Sequence, residues 1–360
     1  MTIQDKFFVL LRLSVDDSYT VTVDLSGDEW IQMYGMAKKQ SLVALCFRGI
    51  SRLPLEKRPD EKLFDDWLID CHLNYEANKK AYSCLASLQK WFRDRGFRSC
   101  VLKGQGNARM YPDAYIRTTG DIDLWVEGGT KNVLDLVRKY CPDTEVCYHH
   151  AQFINYKDIP VEVHYRPSFL NNMINNYRMQ RYFRSQENRQ FENFVDLPDC
   201  IGAVCMPTDD FNRIFQLGHI YRHLMQNGIG LRQIIDYYYL LRRGFTAKER
   251  DRDVVLLKSM GLYRIAEAVM YVEQLVLGME DKYLIVPANE KAGRLLLNEI
   301  IKGGNFGHYD ERVGQKAFAS KPVKNIQRLY RNFRLFSSFE GECLWEPVFR
   351  IYHFFWRKMV

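Results

Sequence analysis

Arg117-Thr-Thr-Gly-Asp-Ile-Asp-Leu-Trp-Val126 is the stretch whose reading decides the fold. Asp121 and Asp123 alternate with Ile122, Leu124 and Val126 at the period of a strand, so both carboxylates leave one face. On such a face they stand only about 6.6 Å apart along the chain. At an effective dielectric of 20 that spacing costs on the order of 2 to 3 kcal/mol when both are ionised, unless a cation lies between them. The pair therefore reads as a divalent-metal site. Ile122, Leu124, Trp125 and Val126 point to a buried element rather than a strand carrying two solvated aspartates.

Asp-x-Asp alone is shared by haloacid-dehalogenase phosphatases and metal-dependent glycosyltransferases, in which the apolar strand precedes the aspartates. Here Arg-Thr-Thr-Gly precedes them and the apolar run is interleaved and follows, which excludes both. An EF-hand is excluded because Trp125 stands where an oxygen ligand belongs. Just upstream, Val101-Leu-Lys-Gly-Gln-Gly106 reads as a strand end, a glycine turn and a helix start. Glycine lets the backbone approach a phosphate, and free amides at a helix start suit an anion. No GxxxxGK[ST] loop occurs in the chain.

Working outward, apolar residues at helical spacing from Asp28 to Arg52 and from Leu63 to Trp91 make the first quarter helical. Strand-like runs follow at Arg98 to Leu102, Asp121 to Val126, Glu145 to Tyr156 and Val161 to Tyr165. Short helical segments at Gly106 to Tyr111 and Asn132 to Tyr140 separate the first three. From Asp209 the pattern is helical again, at Phe211 to Asn227, Leu231 to Arg243, Arg252 to Met260, Tyr263 to Leu277 and Leu295 to Lys302. The expectation is an α+β fold: a small mixed β-sheet core at 96–206, flanked by helical regions at 1–95 and 207–360.

The motifs resemble the nucleotidyltransferase fold of the DNA polymerase beta superfamily, whose signature is hG[GS] at a helix start followed by an hDhDh strand. Leu102-Lys-Gly-Gln105 stands at the first and Asp121-Ile-Asp-Leu124 at the second. The chain is more closely similar to the uncharacterised nucleotidyltransferase family, through Leu102-Lys-Gly104, Tyr111-Pro112, Arg117, Gly120-Asp-Ile-Asp-Leu124 and Val161-Glu-Val-His-Tyr165. A more distant likeness is to AbiEii-type toxin nucleotidyltransferases. The resemblance implies a third carboxylate, for which Glu162 is the candidate. With Asp121 and Asp123 it would hold Mg²⁺, two ions in all, for attack of an acceptor hydroxyl on the α-phosphate of an NTP. Lys103, Gly104, Gln105, Arg117, Gly120 and His164 are the expected nucleotide contacts, with Arg117 alternatively bracing the loop before Asp121. Gln105 replaces the usual serine. The acceptor is a small molecule, sugar, protein or tRNA. Two alternatives stand beside this: a toxin-like enzyme acting on tRNA, and a non-catalytic nucleotide-binding scaffold.

Other features read more plainly. A net charge of +7 suits an anionic partner. Nine cysteines without CxxC pairs suggest reduced thiols and a cytoplasmic protein. Phe7 to Leu13 is interrupted by Arg12 and lacks a cleavage site, and no run is long enough to span a membrane. Cys141, Cys147, His149 and His150 match no zinc spacing and read as core residues. His219 and His223 read as a helix packing face, and Arg232 with Asp236 as an i, i+4 ion pair. Lys321, Lys324, Arg328 and Arg331 form a basic helical stripe, and the aromatic tail from Leu344 to Val360 reads as core or interface.

Overall fold

The computed structural model describes residues 1–313 and 321–360, and their side chains outside 313–326. Four helices, α1 (Ile3–Val15), α2 (Gly27–Gln40), α3 (Val43–Ser51) and α4 (Glu61–Arg93), open the chain. Then come β1 (Ser99–Val101), α5 (Gln105–Ala108), β2 (Ile122–Val126), α6 (Gly129–Tyr140), β3 (His150–Gln152), β4 (Val161–His164), α7 (Met173–Phe191), β5 (Phe194–Asp196) and β6 (Ala203–Cys205). The remainder is helical: α8 (Asp209–Gln226), α9 (Leu231–Arg242), α10 (Ala247–Ser259), α11 (Tyr263–Leu277), α12 (Glu290–Gly303) and α13 (Lys321–Met359). The fold is α+β, with a small mixed sheet among flanking helices.

Several elements differ from the sequence pattern for local reasons. The expected helix from Asp28 to Arg52 is two helices, broken at Ser41, which adopts a left-handed conformation (φ 57°). Gln40 beside the break donates to Ile300 O and accepts from Leu231 N, a long-range tie that periodicity does not show. Phe7 to Leu13 lies in α1, whose Thr2–Asp5 capping box starts a helix that buries Phe7, Leu10 and Leu11. Helix α7 carried no expectation because its sequence is polar; Asn172 caps it by accepting from Ile174 N and Asn175 N.

The four-stranded sheet has the order β1-β2-β4-β3, with β2 and β4 parallel and the outer pairs antiparallel. Alternation sends Val101, Ile122, Leu124, Val126, Val161, Val163 and Ala151 to one face, where they pack with α4 and α6 residues in one core cluster. The opposite face carries Asp123, Trp125, Glu162, His164, His150 and Gln152, all brought into adjacent registers. Trp125 joins a second core cluster, stacking on Phe211 of α8 and meeting Phe191 of α7. The sheet thus presents an apolar face to one core and a polar face toward the later helices.

The tail lies in α13, which contains Pro347 and is kinked at Phe339 (φ −133°, ψ 38°). Phe349 and Trp356 are buried against the sheet-side core, while Leu344, Val348, Ile351, Phe355 and Met359 are exposed. The side chains of Lys321 and Lys324 fall outside those described; Arg331 is buried and donates to Gln226 O rather than facing solvent. Among the described residues no helix is long and apolar enough to cross a membrane. All nine cysteines are free thiols.

Glu273 in α11 is fully buried, and among the described residues neither carboxylate oxygen has a hydrogen-bond partner. Burial pushes its carboxyl well above the ordinary range, so the group is held protonated. Replacing it by methionine removes an unsatisfied polar group at nearly constant volume and is expected to stabilise the chain by about 1–3 kcal/mol, read as a higher urea midpoint.

Candidate functional site

Asp123 lies on β2 directly opposite Glu162 on β4. Its Oδ1 receives Lys103 Nζ at 2.6 Å and His164 Nε2 at 2.8 Å. Burial alone would raise the Asp123 carboxyl, but Lys103 and His164 outweigh it and hold it far below the ordinary carboxylate range. For His164 burial favours the neutral ring, yet its bonds to Asp123 and Glu162 prevail and raise it. Burial likewise opposes ionisation of Glu162, but His164 and His150 outweigh it and hold the carboxyl at about 2. A lysine and a histidine whose protonated form these bonds favour therefore face the two buried carboxylates.

Asp121 immediately precedes β2 and is open to solvent in a cavity whose walls are protein. The charge of Asp123, then burial, push its carboxyl up to about 6. Gly104, the residue before α5, holds φ +57° and ψ −115°, a backbone that side-chain-bearing residues avoid. That conformation turns the chain from β1 so that Lys103 reaches Asp123. Helix α5 is only four residues long, so the anion-attracting dipole expected of it is small.

One buried ion pair fixes the loop that carries Asp121. Arg117 forks onto Asp236 of α9, Nε to Oδ1 at 2.7 Å and Nη2 to Oδ2 at 2.8 Å. Tyr111 Oη donates to the same carboxylate at 2.8 Å and Asn107 Nδ2 at 3.2 Å. The i, i+4 pairing expected between Arg232 and Asp236 is therefore not formed, because Arg117 has taken the carboxylate. Arg232, 9 % exposed, donates to Thr118 O at 2.9 Å and lies over the Phe306 ring, within ion-pair reach of no carboxylate among the described residues. Burial, then repulsion from Arg117, lower its guanidinium to about 10.

A cavity of ≈ 40 Å³ gathers Lys103, Gly104, Gly120, Asp121 and Asp123 on one side and Gln216, His219, Arg232 and Gln233 on the other, with Arg117 and Asp236 at its wall. Phe306 closes it from a loop after α12, its backbone in the left-handed region (φ 52°). Of the residues singled out from sequence, Glu162 and His164 stand behind Asp123 and do not line this cavity. Gln105 does not line it either: it is buried, with Nε2 donating to Thr119 Oγ1 at 2.6 Å and Asn78 Oδ1 at 3.3 Å. Sequence reasoning missed Arg232 and Phe306 as cavity residues, since each reaches the carboxylates only through tertiary packing. His219 and His223 are joined by Arg222, whose Nη2 contacts both rings.

These observations define an α+β protein with a carboxylate pair and opposing cations around one cavity. The family model of uncharacterised nucleotidyltransferases matches residues 26–278, and the chain belongs to that family. No curated protein and no solved structure gives a match, so the likeness to AbiEii-type enzymes rests on motifs alone.

Two outcomes follow from this geometry. Asp236→Ala leaves Arg117 buried without its counter-charge and is expected to destabilise the chain by about 3–5 kcal/mol in chemical denaturation. Asp121 keeps its proton up to about 6 in the folded chain but only to about 3.8 when unfolded, so its contribution to stability is full below the lower value and lost as pH rises through the upper. The melting temperature of unliganded protein is expected to fall across that window, and Asp121→Asn to flatten the fall.

Proposed function

We propose that the protein transfers a nucleoside monophosphate from an NTP to a hydroxyl-bearing acceptor, releasing pyrophosphate, in a divalent-metal-dependent reaction. One observation carries this reading: Asp121, Asp123, Lys103 and Gly104 line one cavity together with a buried Arg232 that has no carboxylate partner among the described residues. In this reading the same cavity would recognise an anion and hold a cation. Family membership supports nucleotidyl transfer as the class of reaction.

The carboxylates fit a divalent cation. Asp121 is pushed up to about 6 chiefly because Asp123 is already charged, and a cation between them removes that repulsion. Asp121, Asp123 and Glu162 would hold Mg²⁺, which when bound neutralises phosphate charge and activates a hydroxyl. Glu162, held at about 2, is ionised at neutral pH and suits a ligand better than a proton acceptor.

Lys103 and Arg232 divide the phosphate work. Lys103 is engaged with Asp123 at 2.6 Å in the unliganded chain and would exchange to a phosphate oxygen when a cation takes its place. Arg232, whose Nε has no hydrogen-bond partner among the described residues, would offer a fork to the departing pyrophosphate. Arg117 supports the site through Asp236, holding the loop that bears Gly120 and Asp121. The cavity has room for water but not for a triphosphate, so nucleotide entry requires its wall to move. The Phe306 loop is the part of that wall with a strained backbone.

Calorimetry with MgATP is expected to show binding that Asp121→Asn or Asp123→Asn abolishes. Arg232→Ala should weaken it roughly 10- to 100-fold, the worth of a charge-assisted hydrogen bond of about 1.5–3 kcal/mol. Unchanged MgATP affinity in the aspartate variants overturns the reading. Incubation with labelled NTPs and cell extract would then identify the acceptor by the label it retains.

A further inference from the structure

Behind Asp123, three strands converge on a second set of donor atoms. Strand β4 places Glu162 opposite Asp123, and β3 places His150 opposite His164, so all four side chains leave the same face of the sheet. His164 Nε2 stands 2.8 Å from Asp123 Oδ1 and 3.4 Å from Glu162 Oε2. His150 Nδ1 stands 3.4 Å from that same Glu162 oxygen, and His149 Nε2 lies 3.0 Å from His150 Nδ1. One ligand atom each from Asp123, Glu162 and His164 lies within 4.8 Å of the others.

Those separations are the ones a small metal ion imposes. Ligand atoms at about 2.0–2.2 Å from a common ion stand about 3 Å apart at right angles and about 3.5 Å apart at the tetrahedral angle. The contacts of His164 with Asp123 and Glu162, at 2.8 and 3.4 Å, fall in that range, so an ion fits among these three once Lys103 and the His164 proton leave Asp123, and His150, 3.4 Å from Glu162, moves in to complete the set. The site is also built rather than incidental. His164 is 0 % exposed, Asp123 4 % and His150 8 %, and among the described residues Nδ1 of both His149 and His164 has no hydrogen-bond partner.

The donor chemistry decides the ion. Mg²⁺ takes oxygen ligands and keeps much of its water, whereas imidazole nitrogen favours zinc, cobalt, nickel and iron. We propose that Asp123, Glu162 and His164, with His150 as the fourth donor, form a mixed nitrogen–oxygen site selective for a transition-metal dication over Mg²⁺. This rests on the reading of Asp123 and Glu162 as metal ligands in the transfer reaction. It assigns one metal position of that reaction to a nitrogen-ligated ion and makes no use of Asp121 or Arg232. The histidines at 149 and 150, set aside by sequence spacing, become ligand and neighbour once β3 is paired to β4.

Full-length protein stripped with a chelator and titrated with Co²⁺ reports the site through visible absorption bands. The expected result is saturable Co²⁺ binding that Zn²⁺ displaces and a large excess of Mg²⁺ does not. His150→Gln and His164→Gln should each weaken it by at least the roughly 10-fold that loss of even an outer partner costs. Asp121→Asn and Arg232→Ala should keep the bands. Nitrogen splitting in the Cu²⁺ electron paramagnetic resonance spectrum of the unmutated protein gives an independent reading should the buried His164 variant fail to fold. Wild-type Co²⁺ affinity in His150→Gln, displacement of Co²⁺ by Mg²⁺ on equal terms, or a spectrum without nitrogen splitting overturns the proposal. None of those results touches the MgATP affinity lost in Asp121→Asn, so the two readings fail separately.

Discussion

The buried pair between Arg117 and Asp236 is the constraint on which the site depends. Two charges removed from water are stable only with near-ideal geometry and with their remaining hydrogen-bonding capacity filled. Here the fork of Arg117 meets both carboxylate oxygens, and Tyr111 and Asn107 fill what is left. The pair joins the loop before β2 to α9, so the carboxylates of the sheet and the cation of the later helix are held in register. It also releases Arg232, whose natural partner four residues on is already occupied.

Around Asp123 the same electrostatic demand is met differently. Its burial is tolerated because Lys103 and His164 both point at one oxygen. Asp121, two residues away, has no such partner among the described residues and carries the strain of the pair as a raised proton affinity. The division gives the unliganded site one carboxylate held ionised and one whose proton affinity is raised to about 6. Lys103 in turn depends on Gly104, whose backbone a side chain would not permit.

Much of this was legible in the residues. The period-two pattern of Asp121 to Val126, the Lys103-Gly104 turn and Val161 to His164 located the strands, and the strand registers bring Glu162 and His164 beside Asp123. The helix at Tyr263–Leu277 matched its apolar spacing throughout. What escaped had weak local signals. Helix α7 is polar along most of its length, β5 and β6 are three residues each, and the break at Ser41 is set by contacts of Gln40 with residues far along the chain. Gln105 looked like a phosphate contact by position, yet a bond to Thr119 turns its amide away from the cavity.

The sequence by itself determined the fold class, the family and the carboxylates, because alternation along a strand fixes which side chains share a face whatever packs against it. Only the tertiary structure decided which charges are paired and which are free. Arg117 and Arg232 are chemically alike, and spacing along the chain pointed to Arg232 as the partner of Asp236, yet Arg117 makes the pair. The choice between them rests on how α9 packs against the loop before β2. The same holds for His150, which reaches Glu162 only because β3 pairs with β4. Pairing across a fold is a property of distances that no spacing along the chain encodes.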